Sequence, residues 1–409
     1  MPQLEHVNPR LLTWARETAG FTVPEAAPKL GLKDGTNGTA AEKLIAIEET
    51  GRISRPVLQK AAAVFRRPLI AFYLPDVPRR GERGEDFRAS ATGGGSVSPK
   101  EEGMLDALVR DVRARQQLVR EILDDEEEAV ELPFVASMSN SSAPQAVADA
   151  IRHAIHFALD AQERCGTPEH LFRQLRLAAE RAGVYVLVLG DLGSPQSDIS
   201  EQVFRGFAIA DAFAPFVVIN DNDAAAGRSF TLVHELAHIL VGSSGVSGPL
   251  RRTSHSPIER LCNDAASYFL LPPSVLEAIA QIAKGADVSQ ADQLSGSIAE
   301  RWNVSQAVVV YRFVRSGWIS DETASTLFAG FSERWRQHRE RQRQERDPDA
   351  TGPGYYHLRR AMVGARLLDV TRRALRGGTI TRTTAAKVLG VRLTGVEAML
   401  TVPERARRA

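Results

Sequence analysis

Apolar residues recur at helical spacing along most of this chain and crowd into strand-like runs in only two places. Leu11, Leu12 and Ala15, with Trp14 beside them, predict a helix over Pro9 to Gly20, where Gly20 stops it. A short helix is expected over Val23 to Leu30, with Pro28 spoiling its last turn. The stretch KDGTNGT (Lys33 to Thr39) is a turn-rich loop. Helices follow over Ala40 to Thr50 and Pro56 to Tyr73, the latter interrupted at Pro68 and ended by Pro75. From Pro99 to about Glu128 a charged helix carries an apolar stripe at Leu105, Leu108, Val109, Val112, Val119, Ile122 and Leu123. It closes on the acidic run Asp124 to Glu128, which reads as a solvated helix end.

Helices over Pro144 to Leu159 and Glu169 to Ala182 lead to the runs VYVLVL (Val184 to Leu189) and PFVVIN (Pro215 to Asn220). Both are rich in β-branched and aromatic residues and bounded by turn formers, which predicts strands. PFVVIN is expected to form an exposed sheet edge able to align an extended peptide. An apolar helix should then run from Asp223, as its cap, to Val241, with Gly242 as its stop. Another runs from Pro257 to Leu271, ahead of Pro272 and Pro273. Beyond residue 285 the pattern is helical again, with a basic, polar helix over Glu333 to Arg346 and a GPG break at 352–354 before the final segment, Tyr355 to Leu400.

This pattern predicts an α+β, mostly helical protein with a small sheet. Its expected divisions are a helical module (residues 1–78), a linker and charged helix (79–134), a mixed domain (135–285) and a helical region (286–409). The linker assignment rests on RRGERGED and SATGGGSVS. At 409 residues the chain exceeds one ordinary domain. A net charge of +1 supplies no global field that selects nucleic acid or an anionic membrane. Two cysteines, Cys165 and Cys262, argue against a disulfide scaffold or a cysteine-rich metal site and fit a reducing cytosol. The start, MPQLEHVNPR, has no secretory pattern, and no apolar run approaches the roughly 20 residues of a membrane span, so a cytoplasmic location is expected.

One helix contradicts its own apolar pattern. TLVHELAHILVG (Thr231 to Gly242) sets two histidines and a glutamate among aliphatic residues. Burying each without a partner costs on the order of 2 kcal/mol or more. Residues i and i+4 share a helix face, so His234 and His238 can bind one metal ion. Glu235, turned by about 100° from His234, suits a base acting on water held by that ion. A catalytic zinc takes a third protein ligand and keeps a position open. The next segment offers His255, Glu259 and Asp264. Glu259 lies beside the apolar face of its helix, with Asn263 one turn on. Ser256-Pro257-Ile258-Glu259 is also a capping box, in which Glu259 would only bond backbone, so spacing leaves both roles open.

Three stretches carry a resemblance: FRGFAIADAFAPFVVINDND at 204–223, HELAH at 234–238 and ERLCNDAASYFLLP at 259–272. Together they resemble the ImmA/IrrE metallopeptidases. The resemblance implies a zincin-like core in which Glu259 joins His234 and His238 on Zn²⁺, with Mn²⁺ or another divalent ion as an alternative. It implies Glu235 as the catalytic base, and Asn263 falls at the family's asparagine, where it orients a ligand or packs. Residues 8–75 look like a Cro/repressor-type helix-turn-helix domain with RPLIAFYLP as its exit, and GPGYYHLRRAMVGARLL and GGTITRTTAAKVLGV look like the tail of longer members. The implied activity is cytoplasmic cleavage of a repressor-type DNA-binding protein in stress or mobile-element control. The alternative is a DNA-binding regulator whose metal domain senses without cutting.

The residues themselves weigh on that choice. AAEKLIAIEET, the expected reading helix, holds three glutamates and one lysine, whereas phosphate contacts need Lys and Arg. A protein-docking or scaffold role is therefore expected for this module, with Arg52, Arg55, Arg66 and Arg67 keeping DNA binding open. The final segment has a helix–turn–helix pattern and basic residues including Arg372, Arg373 and Arg376, and reads as a helical cap on the enzyme.

Overall fold

Local stop and start signals set most of the helix ends. In a computed structural model, which describes residues 4–36, 38–78, 85–86, 98–194, 197–248, 256–344 and 354–401, the chain divides into two compact units. The first comprises Met1–Arg83, Thr92–Val112 and Asp191–Val203. It opens with β1 (Leu4–His6), α1 (Pro9–Thr18), α2 (Val23–Lys29), α3 (Ala40–Thr50), β2 (Arg52–Ser54) and α4 (Arg55–Val64). Thr39 and Glu42 form a capping box at the start of α3, and Gly51, with φ +67°, ends it. The helix expected to reach Tyr73 ends at Val64, with Phe65 as its C-cap, and Pro68 stands as the N-cap of a separate 3₁₀ turn over Leu69–Tyr73. The core gathers Leu12, Ala26, Leu30, Leu44, Leu58 and Phe65. This unit departs from an all-α expectation, because β1 and β2 pair antiparallel. Only Ile53 of β2 turns fully inward, so the strand shows no apolar run.

The second unit comprises Gly84–Ala91, Arg113–Gly190 and Phe204–Ala409, so the division between units falls within α5 (Pro99–Asp125). The expected stripe of α5 is buried from Leu105 to Leu123. After β3 (Glu85–Asp86) and α5 come α6 (Pro144–Ala154), α7 (Leu159–Glu163), α8 (Pro168–Arg181), β4 (Tyr185–Val188), β5 (Gly206–Ile209) and β6 (Phe216–Ile219). Next are α9 (Ala225–Val241), β7 (Gly245–Ser247), α10 (Pro257–Leu270), α11 (Pro273–Leu276) and α12 (Ala280–Ala283). The remainder is helical: α13 (Val288–Trp302), α14 (Gln306–Arg315), α15 (Asp321–Gln344), α16 (Tyr355–Val363), α17 (Ala365–Gly377), α18 (Arg382–Leu389) and α19 (Val396–Leu400). With 63% helix and small sheets the protein is α+β and mostly helical.

The five-stranded sheet runs β3-β7-β5-β6-β4. β4 is parallel to β6, β5 is antiparallel to both β6 and β7, and β3 is parallel to β7. The run PFVVIN therefore does not form the exposed edge expected of it. Its strand, β6, is hydrogen-bonded on both sides and wholly buried. The reason is visible in the residues: a continuous apolar run suits a strand covered on both faces, whereas a half-exposed strand alternates.

α9 lies on the sheet and packs against α8 and α10 through Leu232, Leu236 and Leu240 among others. Its N-cap is Ala224 rather than Asp223. Asp223 stands one residue earlier, accepts from the Ala224 N–H at 2.9 Å and leans over the first turn. A Cβ at Gly227 would meet its carboxylate at 2.6 Å. Gly242, with φ +77°, ends α9 as expected.

The C-terminal helices are bonded to this same unit. Arg176 of α8 donates to the carbonyls of Val186 (2.6 Å), Ala361 (2.5 Å) and Met362 (2.9 Å). Glu180 accepts from the Ala365 N–H at 3.1 Å. The acidic run Asp124 to Glu128 at the end of α5 is mostly exposed, as expected of a solvated helix end. Glu128 pairs with Arg373 at 2.5 Å, which spends part of the basic charge of the final segment. Among the described residues no helix is long and apolar enough to cross a membrane.

Candidate metal centre

The 3.6-residue repeat of α9 brings His234 and His238 to one side, with their Nε2 atoms 3.1 Å apart. The first turn of α10 brings Glu259 against them. Its Oε1 lies 3.4 Å from His234 Nε2 and its Oε2 3.3 Å from His238 Nε2. All three side chains are buried. Half of the capping box is present, since the Glu259 N–H donates to Ser256 Oγ at 3.4 Å. The carboxylate faces the histidines. Of the other two candidates, Asp264 turns away to Tyr311 Oη (2.8 Å) and Arg315 Nε (2.8 Å), tying α10 to α14. His255 lies outside the described residues.

These distances test whether an ion fits. Ligand atoms about 2.0–2.1 Å from a tetrahedral ion stand about 3.3–3.4 Å from one another. The two Nε2 atoms here stand 3.1 Å apart, each histidine has a different Glu259 oxygen at 3.3–3.4 Å, and one donor atom from each of the three residues lies within 4.8 Å of the others, close enough to share an ion. Two imidazole nitrogens and a carboxylate form a hard-to-borderline donor set suited to zinc and related divalent ions. Among the described residues this is the group of His, Cys, Asp and Glu side chains close enough to hold a metal.

Glu235 occupies a different position. It is fully buried, and neither carboxylate oxygen makes a hydrogen bond of ordinary length. Burial raises its pKa to about 8; Glu259 adds to the rise, while His234 and Ser247 pull the other way. Burial also works against ionised Glu259, but the two histidines outweigh it and hold that carboxyl down to about 2. The neighbouring imidazoles split. Burial opposes charge on both, yet Glu259 raises the His234 pKa, while His238 is left lowered.

Three contacts around the cluster escaped the sequence reading. Ser247 of β7 puts its Oγ 3.2 Å from His234 Nε2. Gly206 lets β5 pass directly over Glu235, where a Cβ would meet Thr231 Cγ2 at 2.6 Å and Glu235 Oε1 at 2.8 Å. Arg205 joins Thr231, His234, Ser247 and Asn263 around a cleft of about 10 Å³, room for about one water. An isolated glycine within FRGFAI signals close backbone approach and was the available clue to Gly206. Nothing local marks Ser247. Asn263, one turn beyond Glu259, is buried and reaches His234 closely enough to favour its charged form.

The cluster can therefore hold a divalent cation beside a carboxyl poised to exchange a proton. No curated protein and no solved structure matches the chain. Residues 179–314, from α8 to α14 and about a third of the chain, match the family model of the IrrE N-terminal-like domain, Peptidase_M78. The matched segment contains all four residues of the cluster, and the match supports a metallopeptidase of the ImmA/IrrE type.

Proposed function

We propose that the chain is a zinc-dependent endopeptidase acting in the cytoplasm on a repressor-type DNA-binding protein. The observation that carries the reading is the convergence of His234, His238 and Glu259 beside the buried, unpartnered carboxyl of Glu235. When bound, the ion supplies a Lewis acid that polarises a carbonyl and brings the pKa of water towards roughly 7. Glu235 takes the proton from the attacking water and hands it to the leaving amine. Burial holds this carboxyl at about 8 without the ion, and an arriving divalent charge lowers it, which favours the proton-accepting carboxylate. The close pass of Gly206 confines the Glu235 side chain, and Ser247 and Asn263 orient His234. Mn²⁺ also suits this donor set.

The N-terminal unit reads best as a docking module of repressor-like, helix-turn-helix type. On α3, Glu48 is spent on Arg16 at 2.7 Å and Glu42 on its cap, and the helix offers phosphate only Lys43 as a cation. The test is incubation of the zinc-loaded protein with repressors encoded nearby. Discrete fragments should appear, vanish with a chelator and return on adding Zn²⁺. Cleavage indifferent to the chelator would refute a metal-dependent peptidase.

A further inference from the structure

The sheet edge beside the metal cluster is already taken by the chain itself. β7 joins the cluster through Ser247 Oγ, 3.2 Å from His234 Nε2. One side of β7 pairs with β5. Its other side pairs in parallel with β3, Glu85 opposite Gly245 and Asp86 opposite Val246. The opposite end of the sheet, β4, has the Val186 carbonyl bonded by Arg176 and α16 packed against it. Among the described strands, the outer side of β7 is therefore the edge at which a peptide would lie next to His234.

We propose that Glu85–Asp86 is a built-in competitor, holding the β7 edge that an extended substrate must use. The proposal rests on the peptidase reading for the identity of the displaced partner. An added peptide strand bonds to the free N–H and C=O groups of an edge. β3 uses those groups on Gly245–Val246, so both cannot be bound at once. The pairing is also suited to displacement. It spans two residues, it is drawn from the charged, glycine-containing stretch RRGERGED, and Gly, Asp and Glu are poor strand formers. A short charged strand is a common way to shield an edge without sealing it permanently.

The experiment compares full-length, zinc-loaded wild type with the double variant Glu85→Pro and Asp86→Pro. Proline has no N–H and cannot pair in this way. Amide exchange along Gly245–Ser247, read at the N–H groups that face β3 rather than β5, reports the edge regardless of activity. Cleavage of a quenched fluorescent peptide mixture reads competition. In the variant, exchange should quicken at least about 10-fold and KM should fall about 10-fold, with kcat, metal content and helical circular dichroism unchanged. Unchanged exchange, or faster exchange with unchanged KM, would overturn the proposal. If neither protein cleaves any peptide in a metal-dependent way, the peptidase reading fails separately. A synthetic peptide of residues 82–90 then decides: restored protection of β7 in the variant supports an edge open to peptide, and no restoration overturns it.

Discussion

Replacing Glu235 by Gln should leave one divalent ion bound per chain while cleavage falls by about 10²–10⁴-fold, the range typical of a lost general base. The change keeps the shape of a side chain that Gly206 passes closely. It spares the three atoms that converge on one another, so metal content should not move. It removes the one group there that can accept a proton from water. A second readout follows from burial. The Glu235 pKa is raised from 4.5 to about 8, so its contribution to stability is fully present below pH 4.5 and is lost as pH rises through about 8. Gln carries no such loss. The ion-free variant should therefore melt higher than the ion-free wild type above pH 8, and the gap should close towards pH 5. Full activity in Glu235→Gln would eliminate it as the base.

Glu259→Ala should have the opposite profile, with the metal lost first and activity with it. The carboxylate is the only anionic group among the three converging donors and bridges both histidines at 3.3 and 3.4 Å. Without it, two buried imidazoles face each other at 3.1 Å with no charge to draw a cation in. Altering a group behind a ligand typically weakens metal binding 10–100-fold, so removing the ligand should weaken it by more than about 100-fold. Competition with a chelator of known affinity measures this. Unchanged affinity would make Glu259 a capping residue only, the role that Ser256 and the Glu259 N–H already fill without the carboxylate.

What could be read from the residues follows the range of the forces involved. The start and end of α3 and the Gly242 stop of α9 depend on neighbours within a turn, and they stand where the capping residues placed them. The pairing of His234 with His238 is equally local, since it needs only the helix repeat. Glu259 is intermediate. Its spacing allowed two roles, and only the packing of α10 against α9 turns its carboxylate to the histidines. The partner of Asp264 could not be read from the sequence, because Arg315 lies 51 residues away. The short strands were hardest. β5 and β7 have four and three residues, and β3 consists of two charged ones, so no alternation can build up. Their pairing depends on contacts between distant segments, as does the interior place of β6.

The most direct measurement of the centre is X-ray absorption at the edge of the bound ion in zinc-loaded protein. Two imidazole nitrogens and one carboxylate oxygen at about 2.0–2.2 Å, with one further oxygen neighbour from water completing the shell, is the predicted result. An ion bound without imidazole scattering, or no stoichiometric ion at all, would contradict a metal held by His234, His238 and Glu259.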